Sequence, residues 1–195
     1  SKNIELSTKV SVSDKLKITL ITDPSSGEHL NFSGNGDLSF SINKSGNLNL
    51  LGNYEIASGV YRLRLYDAIK RDFEIEKGSS LSWSGDILKP RISIKATYKV
   101  RTSTLGLVSN RITEMNENEE AQYNKLVVLK IIMNLTGYLL TPEIDFDIEL
   151  EDAAQGTYIQ SALTNLNANE SELNKQVFSL LIFNRFLIEN LLGLI

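Results

Sequence analysis

From Ile4 to about Leu150 apolar residues recur at every second position, the signature of strands with one dry face. Ile4, Leu6, Val10 and Val12 alternate with Glu5, Ser7, Lys9 and Ser11. The pattern returns at Leu16, Ile18 and Leu20, and again at Leu38, Phe40 and Ile42 opposite Ser39 and Ser41. It continues through Leu48, Leu50, Tyr54 and Ile56, then Tyr61, Leu63 and Leu65, then Phe73 and Ile75, then Leu81 and Trp83. Turns are predicted at Ser13-Asp14, 44–47, Ser58-Gly59, 68–71 and Lys77-Gly78, where Gly, Asn and Ser serve a reversal. Gly34 and Gly36 are either turn residues or small inward positions of one long strand over 29–43.

The cleanest strand runs over 91–101, with Ile92, Ile94, Ala96, Tyr98 and Val100 on one face and Ser93, Lys95, Thr97 and Lys99 on the other. Pro90 stands at its entrance, where a missing amide donor is tolerated. The polar stretch 102–124, with its acidic run at 114–120, reads as a long solvated loop. Residues 126–135 are apolar on both faces, and Ile144, Phe146, Ile148 and Leu150 alternate with Asp145, Asp147 and Glu149. The sum is about ten strands with no helix between them.

After Asp152 the period changes. Ile159, Ala162, Leu163 and Leu166 predict a short helix, and Asn169 followed by Glu172 has the spacing that opens a second. That helix carries Leu173, Val177, Leu180, Asn184, Leu187 and Leu191 on one stripe, with Phe178, Ile182, Phe183 and Phe186 on other faces. A helix apolar nearly all round is enclosed by protein or lipid. The expected organisation is a mostly β segment over 1–152 and a helical segment over 153–195, packed as a single structural unit.

At 195 residues, 42% of them hydrophobic and 23% charged, the chain has the composition of one globular domain, not of a disordered one. A net charge of −4 leaves no basic excess for phosphates, so no nucleic-acid partner is expected. The absence of cysteine excludes disulfides, thiolate metal sites and cysteine nucleophiles. Ser1 reads as an internal start of a longer or processed protein, since no charged-then-apolar leader precedes the first strand. The stretch 177–195 is broken by Ser179, Asn184, Arg185, Glu189 and Asn190, so it does not read as a membrane span.

Candidate chemistry is thin. His29 is the only histidine, and no nucleophile or orienting acid stands at motif spacing around it. Glu143, Asp145, Asp147 and Glu149 share a strand face that could offer oxygens to calcium, but an ordinary solvated face accounts for them. Trp83 and Tyr54, Tyr61 and Tyr98 fall on the apolar phase, where core packing outweighs a sugar platform. No catalytic residue, metal or cofactor is expected. What remains is a large apolar sheet face, which can be covered in a sandwich, closed in a barrel or left as an open trough holding a ligand. Ten strands at roughly 4.8 Å spacing would give a trough about 45 Å long.

The run from Leu51-Gly52-Asn53-Tyr54 through Gly59-Val60-Tyr61-Arg62-Leu63, followed by Phe73-Glu74-Ile75, Gly78-Ser79, Trp83-Ser84-Gly85-Asp86 and Ile92-Ser93-Ile94-Lys95-Ala96-Thr97-Tyr98, resembles the C-terminal domain of the TamB family. Leu135-Thr136-Gly137, Pro142-Glu143-Ile144-Asp145-Phe146 and the segment from Leu173 to Leu181 are similar to that family's closing segment. The resemblance implies a β-taco: an open folded antiparallel or mixed sheet with an apolar lumen, followed by two C-terminal helices. It also implies an AsmA-like bridge in the bacterial periplasm, near the inner face of the outer membrane. Such a bridge conducts phospholipid between inner and outer membranes and docks on a BamA-like outer-membrane barrel, with its inner-membrane anchor in an N-terminal part absent here. A periplasmic or extracellular β-sandwich binding module is the alternative.

Carried onto this sequence, the groove lining is Leu38, Phe40, Ile42, Leu50, Tyr54, Ile56, Tyr61, Leu63, Leu65, Phe73, Ile75, Leu81, Trp83, Ile92, Ile94, Tyr98, Val100, Ile144, Phe146 and Ile148. The alternation independently points these residues to one face. Their expected role is collective desolvation of acyl chains, at about 0.8 kcal/mol per buried methylene. The stripe Leu173, Val177, Leu180, Asn184, Leu187 and Leu191 is expected to close the groove end or meet a partner.

Overall fold

The computed structural model describes residues 6–65, 69–152 and 156–188. Nine strands run in the order β1 (Leu6–Val12), β2 (Lys17–Asp23), β3 (Glu28–Ile42), β4 (Leu48–Leu65), β5 (Ile69–Ile75), β6 (Ser80–Asp86), β7 (Arg91–Ser103), β8 (Leu126–Tyr138) and β9 (Thr141–Leu150). All nine join one sheet, ordered β1-β3-β4-β5-β7-β8-β9, with β2 also on β3 and β6 between β4 and β7. The mostly β class and the C-terminal helices agree with the reading of the sequence.

The chain divides into two compact units, Ser1–Thr97 with Met133–Asp145, and Tyr98–Ile132 with Phe146–Ile195. The first is built on two long strands. On one side of β3, β2 pairs with its first half and β1 with its second; on the far side of β4, β5 and β6 share its length in the same way. The turn predicted at Ser58-Gly59 is instead a bulge inside an 18-residue strand. Ser33 stands opposite Ser58 but Gly34 opposite Ile56, so β4 carries one extra residue at Ala57. A one-residue insertion exchanges the faces. Inward positions of β4 therefore pass from Leu50, Tyr54 and Ile56 to Tyr61, Leu63 and Leu65, while β3 keeps its phase.

Gly34 and Gly36 lie within β3 and do not turn it. The reason is close packing: a Cβ on Gly36 would come 2.9 Å from Cδ2 of Tyr54, its ladder partner. Across the same ladder Phe32 faces Gly59, where a Cβ would meet Phe32 Cβ at 2.7 Å. Gly36 makes room for the Tyr54 ring and Gly59 for the strand that carries Phe32, and the two rings meet edge to face at 5.4 Å.

In the second unit the stretch expected as a solvated loop is largely helical. A 3-10 stretch (Leu105–Glu114), broken by a kink at Val108, is followed by α1 (Glu117–Asn124), opened by a reciprocal capping box between Asn116 and Glu119. Glu117, Glu119 and Glu120 occupy the first turn of α1, where the helix dipole favours acids, so the acidic run is a helix-start signal. Thr104 N and Ser103 Oγ both donate to the Tyr123 carbonyl, at 2.9 and 3.0 Å, closing the excursion at its base.

α2 (Thr157–Asn167) is tied to β9 by the Asn167 side chain, which accepts from Ile148 N and donates to Ile148 O, both at 3.0 Å. α3 (Glu170–Phe183) begins at Asn169, whose side chain accepts from Glu172 N as the spacing predicts. It stops at Phe183 and does not continue to Leu191. Asn184 adopts the left-handed conformation with φ of 55°, and the chain then turns back. Gln176 holds that return, accepting from Leu187 N at 2.8 Å and donating to Leu187 O at 3.2 Å, and Ser179 Oγ donates to Arg185 O at 2.6 Å. Among the described residues no helix is long and apolar enough to cross a membrane.

Candidate functional site

The ladders place the apolar face of the first unit in rows across the strands. One row runs Val10, Leu38, Gly52 and Trp83; the next runs Val12, Gly36, Tyr54, Leu81 and Ile92. Further along come Ile18, Phe32, Gly59, Ile75 and Ala96, then Leu20, Leu30, Tyr61 and Phe73. The face is continuous from β1 to β7, because the bulge at Ala57 brings both halves of β4 into phase with their neighbours.

Burial divides this face in two. Tyr54, Ile56, Phe73, Leu81 and Ile94 are at most 2% exposed, together with Leu30, Met133 and Leu135. Leu38, Phe40, Ile42 and Trp83 are only half-buried, Leu50 is buried, and Leu6, Val10 and Leu48 are 44–56% exposed. One stretch is filled by protein; the other lies open at the end formed by β1 and the adjoining ends of β3 and β4.

The filled stretch owes its cover to the segment that returns at Met133–Asp145. A cavity of about 230 Å³ is lined by Thr22, Asp23, Glu28, Leu30, Tyr61, Ile92, Leu135, Leu139, Leu140, Pro142 and Ile144. β8 stands four strand positions from β3, about 19 Å along a flat sheet at strand spacing. Residues of both strands line one small cavity, so the sheet of this unit folds over onto its own apolar face. Leu139 N donates to Pro90 O at 3.0 Å, and Arg91 lies over the Tyr138 ring at 4.9 Å, fixing the returning hairpin beside β7.

The cavity has a polar end. Glu28 Oε2 accepts from Tyr61 Oη at 3.4 Å, and Glu28 Oε1 accepts from Arg64 N at 3.5 Å. Burial, reinforced by the Glu28 charge, pushes the Tyr61 phenol up to about 12, so it stays protonated and donates. Asp23 is engaged by Ser25 N and Oγ at 2.9 and 2.6 Å, which hold its carboxyl below the usual range. Thr22 Oγ1 is buried beside the Tyr61 phenol and makes no hydrogen bond of normal geometry.

Of the residues expected to line a groove, Leu63, Leu65, Ile75 and Ile92 are also buried in the first unit, along with Tyr61. Ile144 is 45% exposed at the cavity rim. Tyr98, Val100, Phe146 and Ile148 belong to the second unit, with Val100 and Ile148 buried and Tyr98 and Phe146 half-buried. In the helical stripe Leu173, Val177 and Leu180 are buried, Leu187 is half-buried, and Asn184 is an exposed cap; Leu191 lies outside the described residues. Leu30, Phe32, Met133, Leu135 and Leu139 are interior residues beyond the expected lining. The first two share the phase of Leu38 and Phe40, a signal present in the sequence.

His29 sits beyond the turn with its Nδ1 2.8 Å from the Gly27 carbonyl, on the face that carries the Arg62–Asp72 pair. Glu149 pairs with Lys130 at 3.5 Å, and no cluster of three or more His, Asp or Glu suited to a metal occurs among the described residues.

No curated protein matches the chain. The family model of the TamB C-terminal domain matches residues 1–193, nearly the full length, in agreement with the motifs from Leu51 to Tyr98. The chain therefore belongs to the TamB C-terminal domain family, translocation and assembly modules associated with the bacterial cell envelope.

Proposed function

We propose that this chain is the distal part of a periplasmic bridge that conducts phospholipid toward the outer membrane along its apolar sheet face and docks on a BamA-like barrel. The observation that carries the reading is the continuous apolar face from β1 to β7, open to solvent at Leu6, Val10, Leu38, Phe40 and Leu48. Monomeric proteins leave few contiguous apolar strips uncovered without a ligand or partner for them. Acyl chains suit such a strip, because their transfer depends on contact area and needs no directional bond. The reading assigns no reaction to the chain, and the inner-membrane anchor falls to a more N-terminal part of the bridge.

Photo-crosslinking residues placed at Leu38 and Phe40 in cells should capture phospholipid, and those at Ser39 and Ser41, on the opposite face of β3, should not. Lipid captured equally on both faces, or on neither, overturns the reading.

A further inference from the structure

The cavity at the folded-over end of the first unit has a composition that an acyl groove does not need. Its walls are Leu30, Leu135 and Leu139, yet three oxygen-bearing side chains converge at one end: Thr22, Glu28 and Tyr61. Asp23 lies beside them and is already satisfied by Ser25. Glu28 has no ion-pair partner among the described residues, and its two hydrogen bonds, at 3.4 and 3.5 Å, are at the limit of useful length. The Arg64 guanidinium is directed to the Ser26 carbonyl. No Lys, Arg or His lines the cavity. A carboxylate so weakly served, beside a buried Thr22 hydroxyl that makes no hydrogen bond of normal geometry, is an acceptor set without a cationic donor.

We propose that this cavity binds the protonated primary amine of an aminophospholipid headgroup, with the ammonium on Glu28 and Thr22 and the methylenes next to it against Leu30, Leu135 and Leu139. An ammonium brings three donors and a positive charge, which two acceptor oxygens of Glu28 and the Thr22 hydroxyl can take up. The Tyr61 phenol, kept protonated, continues to donate to Glu28 and orients it. A volume of about 230 Å³ holds the ammonium and the methylenes next to it, and leaves the phosphate and the acyl chains outside the cavity. The inference rests on the lipid-conducting reading and adds a headgroup preference to it.

Binding of dodecylammonium, 1-dodecanol, dodecyl sulfate and ethanolamine to the 195-residue chain, each below its micellar concentration, tests the chemistry by calorimetry. Dodecylammonium should bind about tenfold or more tighter than 1-dodecanol, the ratio expected for one charge-assisted contact. Glu28→Gln should erase that preference, bringing the two binding constants to within about twofold of each other. Should Glu28→Gln fail to fold, Thr22→Val should reduce the same preference several-fold. From vesicles of equal phosphatidylethanolamine and phosphatidylglycerol, the native chain should extract the amine lipid preferentially and Glu28→Gln should extract both alike. Equal binding of dodecylammonium and 1-dodecanol, an undiminished preference in Glu28→Gln, binding of ethanolamine as tight as dodecylammonium, or equal extraction by the native chain overturns the proposal. These failures are distinct from failure of the conduit, in which neither phospholipid is extracted and Phe40 captures none.

Discussion

The two stretches of one apolar face, around Phe40 and around Ile94, have the same sequence grammar and opposite environments. Leu38, Phe40 and Ile42 alternate with serines as regularly as Ile92, Ile94 and Ala96 alternate with Ser93 and Lys95. Yet the first set is half-buried and the second is at most 5% exposed. The difference lies in what lies above them. Leu135 and Leu139 return on β8 and its turn to face Leu30, Tyr61 and Ile92 at the folded-over end, while β1 contributes Leu6 and Val10 to the same open layer as Leu38 and Ile42. Alternation states which side of a strand is dry or greasy; only a partner from distant sequence decides whether that side is a core or a surface.

The largest test of this contrast is a charge in each stretch. Ile94→Asp buries a carboxylate with no partner and should cost about 4 kcal/mol or more, enough to unfold a marginal domain. Phe40→Asp places the same charge where solvent reaches it and should cost no more than about 1–2 kcal/mol, chiefly lost apolar contact. Urea denaturation of both variants reads the difference. Equal losses would mean that the two stretches share one environment, and the division drawn from burial would be lost.

That division was only partly legible in the sequence. Periodicity named the strands, the inward phase of Tyr54, Phe73, Leu81 and Ile94, and the Asn169 start of α3, because those are local consequences of side-chain direction and capping. It misread β4 as two strands, since Ser58-Gly59 has turn chemistry and the phase change across it imitates a reversal; the bulge at Ala57 is visible only in the pairing with β3. It misread the acids at 117–120 as solvent-seeking, although Asn116 and Glu119 have capping spacing. The end of α3 was hidden for another reason. The six-residue stripe runs on through Leu187, but Gln176 and Ser179 supply hydrogen bonds that favour the reversal after Asn184.

Gly36 stands on the row where the closed stretch begins, and its missing side chain lets the Tyr54 ring lie over β3. Gly36→Ala would put a Cβ 2.8 Å from Asn53 O and 2.9 Å from the ring, so the ring or the strand must give. The expected cost is about 1–3 kcal/mol, as for other overpacked sites. Because the displaced ring uncovers Leu81 and Ile92, binding of an apolar dye to the folded variant should rise as well. A stability loss with unchanged dye binding would place the accommodation in the backbone and leave the closed stretch sealed.

The smallest effect is expected from Tyr54→Phe. Tyr54 is 1% exposed, and its Oη is buried near the Gly34 amide without a hydrogen bond of normal geometry. Burial accordingly raises the phenol above its ordinary value. A hydroxyl held away from water with no partner carries an uncompensated desolvation cost, so removing it should leave stability unchanged or raise it by about 0.5–1 kcal/mol. The ring contact with Phe32 survives the change, which isolates the hydroxyl. Urea midpoints at constant slope measure it. If Tyr54→Phe instead loses more than about 1 kcal/mol, the hydroxyl is bonded in solution. Water would then reach the row of Gly36, Leu81 and Ile92, and the closed stretch would be a wet continuation of the open one.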